Sequence, residues 1–286
     1  MKTIIYVLIA IFAFGIIANG FKGQSQPKNS ILIQSTDNKI SSATLSQSAS
    51  IISGRLQSFS SNKFNLKLIP EKNQIQVIFA DNSDLKTVEG LLTKQGTFAF
   101  YATYDQKQLA ELLKDDNQLN ILLSRKNTNP TSSEIGCVPV GGVEKVNKYL
   151  ATLALNQSCK FVWSQPDEKK GVCLYALQLE NGKGAILNGS DIAEMKSNQE
   201  KDSGSYVVGI EFKQPAIAIW ADATRRNINH AIAIVLDDQV LYAPTLRSVI
   251  EGGRCEISGN FTQTEGRYLA ALGNNGALPV SFKVVR

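Results

Sequence analysis

The sequence predicts an α+β fold in which one βαββαβ unit occurs twice, near each end of the chain, around a middle section of different pattern. Three observations predict it. Short β-prone runs and helix-period runs alternate in that order between residues 31 and 104. The same order returns from Tyr206, and the stretch from Asp105 to Gly204 fits neither copy.

In the first copy, Ile31 to Gln34 reads as a strand. Leu45, Ile52, Leu56 and Phe59 fall at helical spacing behind a Ser/Thr-rich start, so Leu45 to Phe59 reads as an amphipathic helix. Phe64 to Ile69 and Gln74 to Phe79 alternate or are β-branched, and Pro70-Glu71-Lys72-Asn73 between them marks a hairpin. Asp84 is placed to cap a helix bearing Leu85, Val88, Leu91 and Leu92, which ends at Gly96. Thr97 to Thr103, rich in aromatics, is the next strand.

The middle section begins with a helical run from Gln106 to Leu113, followed by a loop at Asn127 to Ser133. Val143, Val146, Tyr149, Leu150 and Leu153 mark an amphipathic helix. Phe161 to Ser164 and Cys173 to Leu179 form a hairpin around Pro166 to Gly171. In the second copy, Val207 to Phe212 is a strand and Ala221 to Asn229 a short helix. Ala231 to Leu236 and Val240 to Leu246 are strands joined at Asp237-Asp238, the latter interrupted by Pro244. Gly252-Gly253 is a turn. Phe261 to Leu272 is a helix with Thr262 as N-cap, Glu265 completing a capping box and Gly273 at the left-handed C-cap position. Val280 to Val285 closes the unit.

At 286 residues and 43% hydrophobic, the chain buries a proper core and suits one or two domains, which excludes a disordered chain. The net charge is +5, of which Lys2 and Lys22 supply two. The +3 that remains lacks the basic stripe of a nucleic-acid binder. Residues 1–23 carry Met-Lys, the apolar run Ile4 to Ala18 and small residues at Ala18 and Gly20. They fit a secretory signal sequence, with an uncleaved membrane anchor as the alternative, since the run is short of the ~20 residues a spanning helix needs. Either way the rest is expected outside the cytoplasm, at the periplasmic side of the cell envelope. Gln24 to Ser30, with Pro27, reads as a linker. Cys137, Cys159, Cys173 and Cys255 would meet an oxidising compartment, where four cysteines allow two disulfides in three connectivities. None forms a CxxC, so zinc is not indicated.

Residues from Trp220 onward carry a spaced series of motifs: Trp220, Thr224 and Asn227; Ala231 to Asp237; Ala243-Pro244; Gly252-Gly253; Ile257 to Thr262, which includes Gly259 and Phe261; and Gly276 to Pro279, which includes Leu278. The series resembles the end of the first periplasmic domain of SecD and fused SecDF proteins, accessory subunits of the bacterial protein-export translocon. Gly266, where that family usually has Ala, and Asn229-His230, where a Gly is usual, are departures. A weaker likeness covers Val146 to Leu150 and Leu174 to Leu177, and the whole resemblance spans residues 31–286. It implies two ferredoxin-like halves, residues 31–104 and 205–286, forming a base, with residues 105–204 as an inserted α+β head subdomain. Tyr104, Asp105, Ser203 and Gly204 are the candidate hinge where chain crosses between them. The family couples export to proton flow through carboxylates on membrane helices. The sequence given ends at Arg286, so the resemblance implies no proton-driven motor within it.

Candidate chemistry is sparse. His230 is the single histidine and sits at a helix-to-strand junction, where a turn histidine explains it better than a catalytic triad. Asp237-Asp238 more simply makes a hairpin turn than an acid pair or metal site. Gly182, Gly184 and Gly189 do not make a phosphate loop, because Leu187 holds the third glycine position and no lysine follows. Arg225-Arg226 and Lys169-Lys170 read as solvated faces. Asn156, Asn188 and Asn260 begin Asn-x-Ser/Thr triplets that carry no further expectation. The expectation is a non-enzymatic protein with no cofactor, no metal and no nucleic-acid partner. It would bind unfolded or translocating polypeptide through strand edges and grooves and work with the Sec translocon. The alternative is a structural or regulatory protein docking on an envelope complex without touching client.

Overall fold

The computed structural model describes residues 29–60, 63–80, 85–114, 116–155, 157–179, 184–201 and 204–285. The expectations for residues 1–23, for most of the linker and for Asp84, Asn156, Gly182 and Ser203 lie outside the described residues.

The N-terminal elements are β1 (Ser30–Ser35), α1 (Ser42–Phe59), β2 (Phe64–Ile69), β3 (Gln74–Phe79), α2 (Leu85–Thr93) and β4 (Phe98–Ala102). Alternation explains β1, whose Ile31 and Ile33 point into the core. Ser41 caps α1 by accepting from the Thr44 amide, and Leu45, Ile52 and Leu56 then fall on its buried face. A 3-10 turn at Pro70–Lys72, with Asn73 left-handed at φ 53°, joins β2 to β3.

The middle section holds α3 (Gln106–Leu112), α4 (Gln118–Leu122), β5 (Arg125–Lys126), β6 (Glu134–Val138), α5 (Val143–Leu150), β7 (Cys159–Ser164), β8 (Val172–Gln178), β9 (Leu187–Asn188) and β10 (Ile192–Gln199). The last part contains β11 (Tyr206–Phe212), α6 (Gln214–Arg226), β12 (Ile232–Leu236), β13 (Gln239–Tyr242), β14 (Arg254–Phe261), α7 (Gln263–Asn275) and β15 (Phe282–Val285).

Three sheets result. The first, in the order β15-β1-β3-β2, pairs Leu32 with Val285 and Ser35 with Phe282. The second is β10-β11-β14, with α7 across one face. The third runs β5-β6-β8-β7-β13-β12-β4-β9. The two ends of the chain thus meet, but residues 31–104 and 205–286 are not self-contained. β4 leaves its own unit to pair with β12, opposing Phe100 to Ile234, and β15 takes the place beside β1 that β4 was expected to fill. Aromatic packing accounts for part of this: Phe100 on β4 meets Phe212 and Trp220 of the second part at 5.0 and 5.7 Å between ring centres.

The middle section also divides differently from the expected 105–204. β10 pairs with β11 along its whole length and packs under α7, because Ile192 and Met195 are apolar on that face. β7 and β13 pair in parallel at Gln239–Trp163 and Val240–Ser164, so one sheet runs from the middle lobe into the platform. A small core of Tyr101, Val162, Leu177, Ala233, Val235 and Val240 fills that junction. A larger core lies between the first two sheets, their helices and the β12-β4-β9 end of the third sheet, and a separate one, around Leu109, Ile135, Leu150 and Leu174, fills the middle lobe.

α7 carries the expected capping box, Thr262 with Glu265. Gly273 is not its cap: it is buried inside the helix, and Gly276, at φ 75°, ends it. A Cβ on Gly273 would collide with the Met195 side chain, and one on Gly266 with Ser197 Oγ. Both glycines therefore let α7 lie close on β10, which explains the Ala-to-Gly departure at 266. Cys137 and Cys173 face each other across β6 and β8 and form a disulfide, while Cys159 and Cys255 are free.

Candidate functional site

The motif residues from Trp220 onward converge on the loop between β13 and β14. α6 presents Trp220 and Thr224 inward at helical spacing, and both are buried. Thr224 Oγ1 accepts the Ile250 amide at 3.0 Å and donates to Ala221 O, which pins the loop to the helix. Asn227 caps the C-terminus of α6, its side-chain amide donating to Ala223 O at 2.8 Å and its carbonyl accepting from the His230 amide. Leu246 and the Asn229–His230 turn exchange backbone bonds at 2.9 Å, and the Gly253 carbonyl accepts from Phe212 N. Gly253, at φ 64°, brings its backbone against Ile217, where a side chain would not fit. Beneath this loop lies a cavity of about 200 Å³, walled by Trp220, Ile232, Ile234, Pro244, Leu246 and Ile250. Ala243 lies beside the junction core.

The remaining motif residues hold the platform together. The Phe261 ring lies over Gly259, where a Cβ would stand 2.9 Å from it. Leu278 is buried and its amide donates to Gln95 O at 2.8 Å, while Pro279 is exposed. Asp237 and Asp238 both adopt left-handed φ, 48° and 59°, as the turn between β12 and β13. Asp237 Oδ1 accepts the Thr97 amide at 2.8 Å, tying that turn to the approach of β4.

Sequence reasoning missed Arg55, which is fully buried on α1. Its Nη1 donates to Leu91 O (3.1 Å) and Lys94 O (2.7 Å), and its Nη2 to Gln95 O and Gly276 O, both at 2.7 Å. It thereby satisfies carbonyls at the ends of α2 and α7, which no helical amide can reach. Burial lowers its pKa to about 10, against the opposing fields of Asp237 and Tyr268. The only sequence signal was a charged residue one position before Leu56 on the predicted apolar face.

At the lobe junction, the Tyr104 amide donates to Ala176 O at 2.8 Å and Thr103 Oγ1 to Ala231 O at 3.0 Å. Asp105 is nearly buried and caps α3 by accepting from Gln108 N, while its Oδ2 lies 3.4 Å from His230 Nδ1. Lys160 and Asp238 pair across the same junction at 2.6 Å. His230 therefore faces a capping carboxylate rather than a serine or cysteine nucleophile. Gly204 stands elsewhere. At φ 70° it belongs to the turn of the β10–β11 hairpin, where Glu200 N donates to Ser205 O, so it is not a crossing between lobes. The chain returns instead between β8 and β9, whose Leu187 pairs with Phe100. The free cysteines are thiols rather than thiolates: burial pushes both Cys159 and Cys255 up to about 12.

The fold and this packed motif cluster define a multi-sheet α+β domain in which the two chain ends form one platform. A family model described as the P1 head subdomain of SecDF matches residues 167–280. That match runs across the expected boundary at residue 204 and takes in the β10-β11-β14 sheet, α6 and all of α7 with the Trp220 cluster. The chain is similar to the protein translocase subunit SecD of Mycobacterium tuberculosis, 40% identical over 102 residues, covering 35% of this chain and 18% of that protein. SecD of Rickettsia bellii is 26% identical over 264 residues, covering 80% of this chain and 51% of the relative. The chain thus spans about half, or less, of these curated relatives. Its fold matches a SecDF structure described as a membrane component that enhances protein export, at TM-score 0.54 and 18% identity, over 90% of this chain and 98% of that one. SecDF in its super-membrane-facing form matches at TM-score 0.57 and 18% identity, over 90% of this chain and 29% of that one. Over part of its length in sequence, and over most of it in fold, the chain is similar to SecD and SecDF proteins.

Proposed function

We propose that this domain binds unfolded or translocating polypeptide on the outer side of the inner membrane and assists Sec-dependent export without catalysing a reaction. Residues 1–23 then act as signal or anchor. The two ends form a base in which one sheet keeps a ferredoxin-like order with β15 standing as its last strand, and Tyr104-Asp105 is one passage into the inserted lobe. The observation that carries the reading is the fold match over 98% of a SecDF structure described as enhancing protein export. The sheets add a physical means, since β2, β14 and β15 each lie at a sheet edge, where an extended chain can be received by backbone pairing.

Fluorescence-anisotropy titration with a labelled preprotein, reduced and unfolded, tests the reading against the same protein folded. Saturable binding of the unfolded form alone is expected. An equal response to both forms, or to neither, removes it. Crosslinking in cells separates the alternative: adducts to many exported proteins support client binding, and one stable partner without client supports a docking protein.

A further inference from the structure

The cavity beneath the β13–β14 loop has features that packing of the domain does not use. Its walls are mainly apolar, and at about 200 Å³ it is smaller than the roughly 300–1,000 Å³ of sites that enclose cofactors and other small molecules. Trp220, which lines it, is 2% exposed. Cys255 and Glu256 of β14 form part of the lining, and β14 is an edge strand of its sheet. Arg247, Ser248 and Thr245 complete it on the exposed side.

We propose that this cavity receives one large apolar side chain from an extended polypeptide whose backbone runs along the free edge of β14. The inference rests on the polypeptide-binding reading above and assigns it a place. The volume suits a single anchor residue. The edge strand offers backbone groups for pairing, which gives affinity without sequence preference, while the cavity selects for an apolar residue. Arg247 and Glu256, of opposite charge, frame the site without favouring a client of either charge.

The test uses the full chain and two unstructured ten-residue peptides that differ only at the centre, Phe in one and Ser in the other. Trp163→Phe leaves Trp220 as the single tryptophan, so its emission reports on the cavity. Ser248→Phe fills the opening from an exposed position, and Thr245→Phe provides a second plug if the first fails to fold. The Phe peptide is expected to bind at least ~10-fold more tightly than the Ser peptide and to shift Trp220 emission, and a folded plugged variant to lose about tenfold in affinity, as expected for a single buried anchor. If the plugged variant binds unfolded preprotein and the Phe peptide as the parent does, the cavity is not the receptor, and the polypeptide-binding reading stands. If the parent binds neither, that reading fails and this inference falls with it.

Discussion

Replacing Arg55 with methionine is expected to destabilise the domain by about 4 kcal/mol. Methionine keeps most of the stem volume and removes every donor. Three carbonyls are orphaned, those of Leu91 and Lys94 on α2 and its end and of Gly276 after α7, while Gln95 O loses one of two donors and keeps the Leu278 amide. An orphaned buried acceptor costs about 1–3 kcal/mol. The bond to Leu91 is buried and takes a mid-range ~2 kcal/mol, whereas those to Lys94 and Gly276 are only partly buried, so water recovers some of the loss and the lower end, ~1 kcal/mol each, applies. Relief from burying a cation acts the other way and keeps the sum from rising further. Arg55→Lys should lose about half as much, because a compact ammonium cannot span a fork of four acceptors. Urea unfolding measures both: a loss of about 4 kcal/mol lowers the midpoint by roughly 1.3–2 M if m is about 2–3 kcal/mol per M. A methionine variant within ~1 kcal/mol of the parent at unchanged m would show that these carbonyls are served by solvent and that Arg55 does not join the helices.

Alkaline pH should unfold the domain through its buried acids. Cys159 and Cys255, and likewise Tyr175 and Tyr268, have folded pKa values raised to about 12 by burial, so the unfolded chain holds fewer protons between pH 9 and 12 and stability falls across that window. Each thiol contributes a slope of about 1.4 kcal/mol per pH unit, and Cys159→Ala with Cys255→Ala should flatten the fall; Arg55, with its lowered pKa, acts in the opposite sense above about pH 10. The Cys137–Cys173 bridge spans 36 positions, so its removal as a double alanine variant should cost about 4 kcal/mol by loop entropy, read as a lower urea midpoint for unfolding of the middle lobe. Gly273→Ala should lower thermal stability by about 1–3 kcal/mol, overpacking against Met195 outweighing the gain in helix propensity, and a stabilised variant would refute the close approach of α7 to β10. Asp105→Ala should lose about 1 kcal/mol through the α3 cap, detected as faster amide exchange from Gln106 to Leu109.

The elements themselves were largely legible, because local rules decide them: alternation in β1 and β3, the Thr262–Glu265 box, the Asp237-Asp238 turn. What was not legible was partnership. Nothing in the run Phe98–Ala102 says that it pairs with Ile232–Leu236 rather than Ser30–Ser35, since both neighbours offer an apolar face and the choice is settled by the Phe100, Phe212 and Trp220 rings meeting in three dimensions. β14 escaped notice for a different reason. Its Arg-Cys-Glu-Ile-Ser-Gly-Asn-Phe sequence alternates at Cys255, Ile257 and Phe261, but Gly259 interrupts the series and reads as a break, although it is there to accommodate Phe261 rather than to turn the chain. The candidate site was half readable: Trp220 and Thr224 stood out as motif residues, but the cavity depends on a loop fold that Thr224 sets through one hydrogen bond to Ile250.

The place of β15 beside β1 has a consequence for how the domain comes into being. A ribosome delivers Ser30–Ser35 some 250 positions before Phe282–Val285, the strand that completes its sheet. Through most of synthesis the first sheet must wait with one border open, and contacts of such sequence separation form slowly. A chain cut short by its final few residues would then be damaged not at its tail but at its beginning, and it would present to the cell the same raw border by which the finished domain is proposed to receive other unfolded chains.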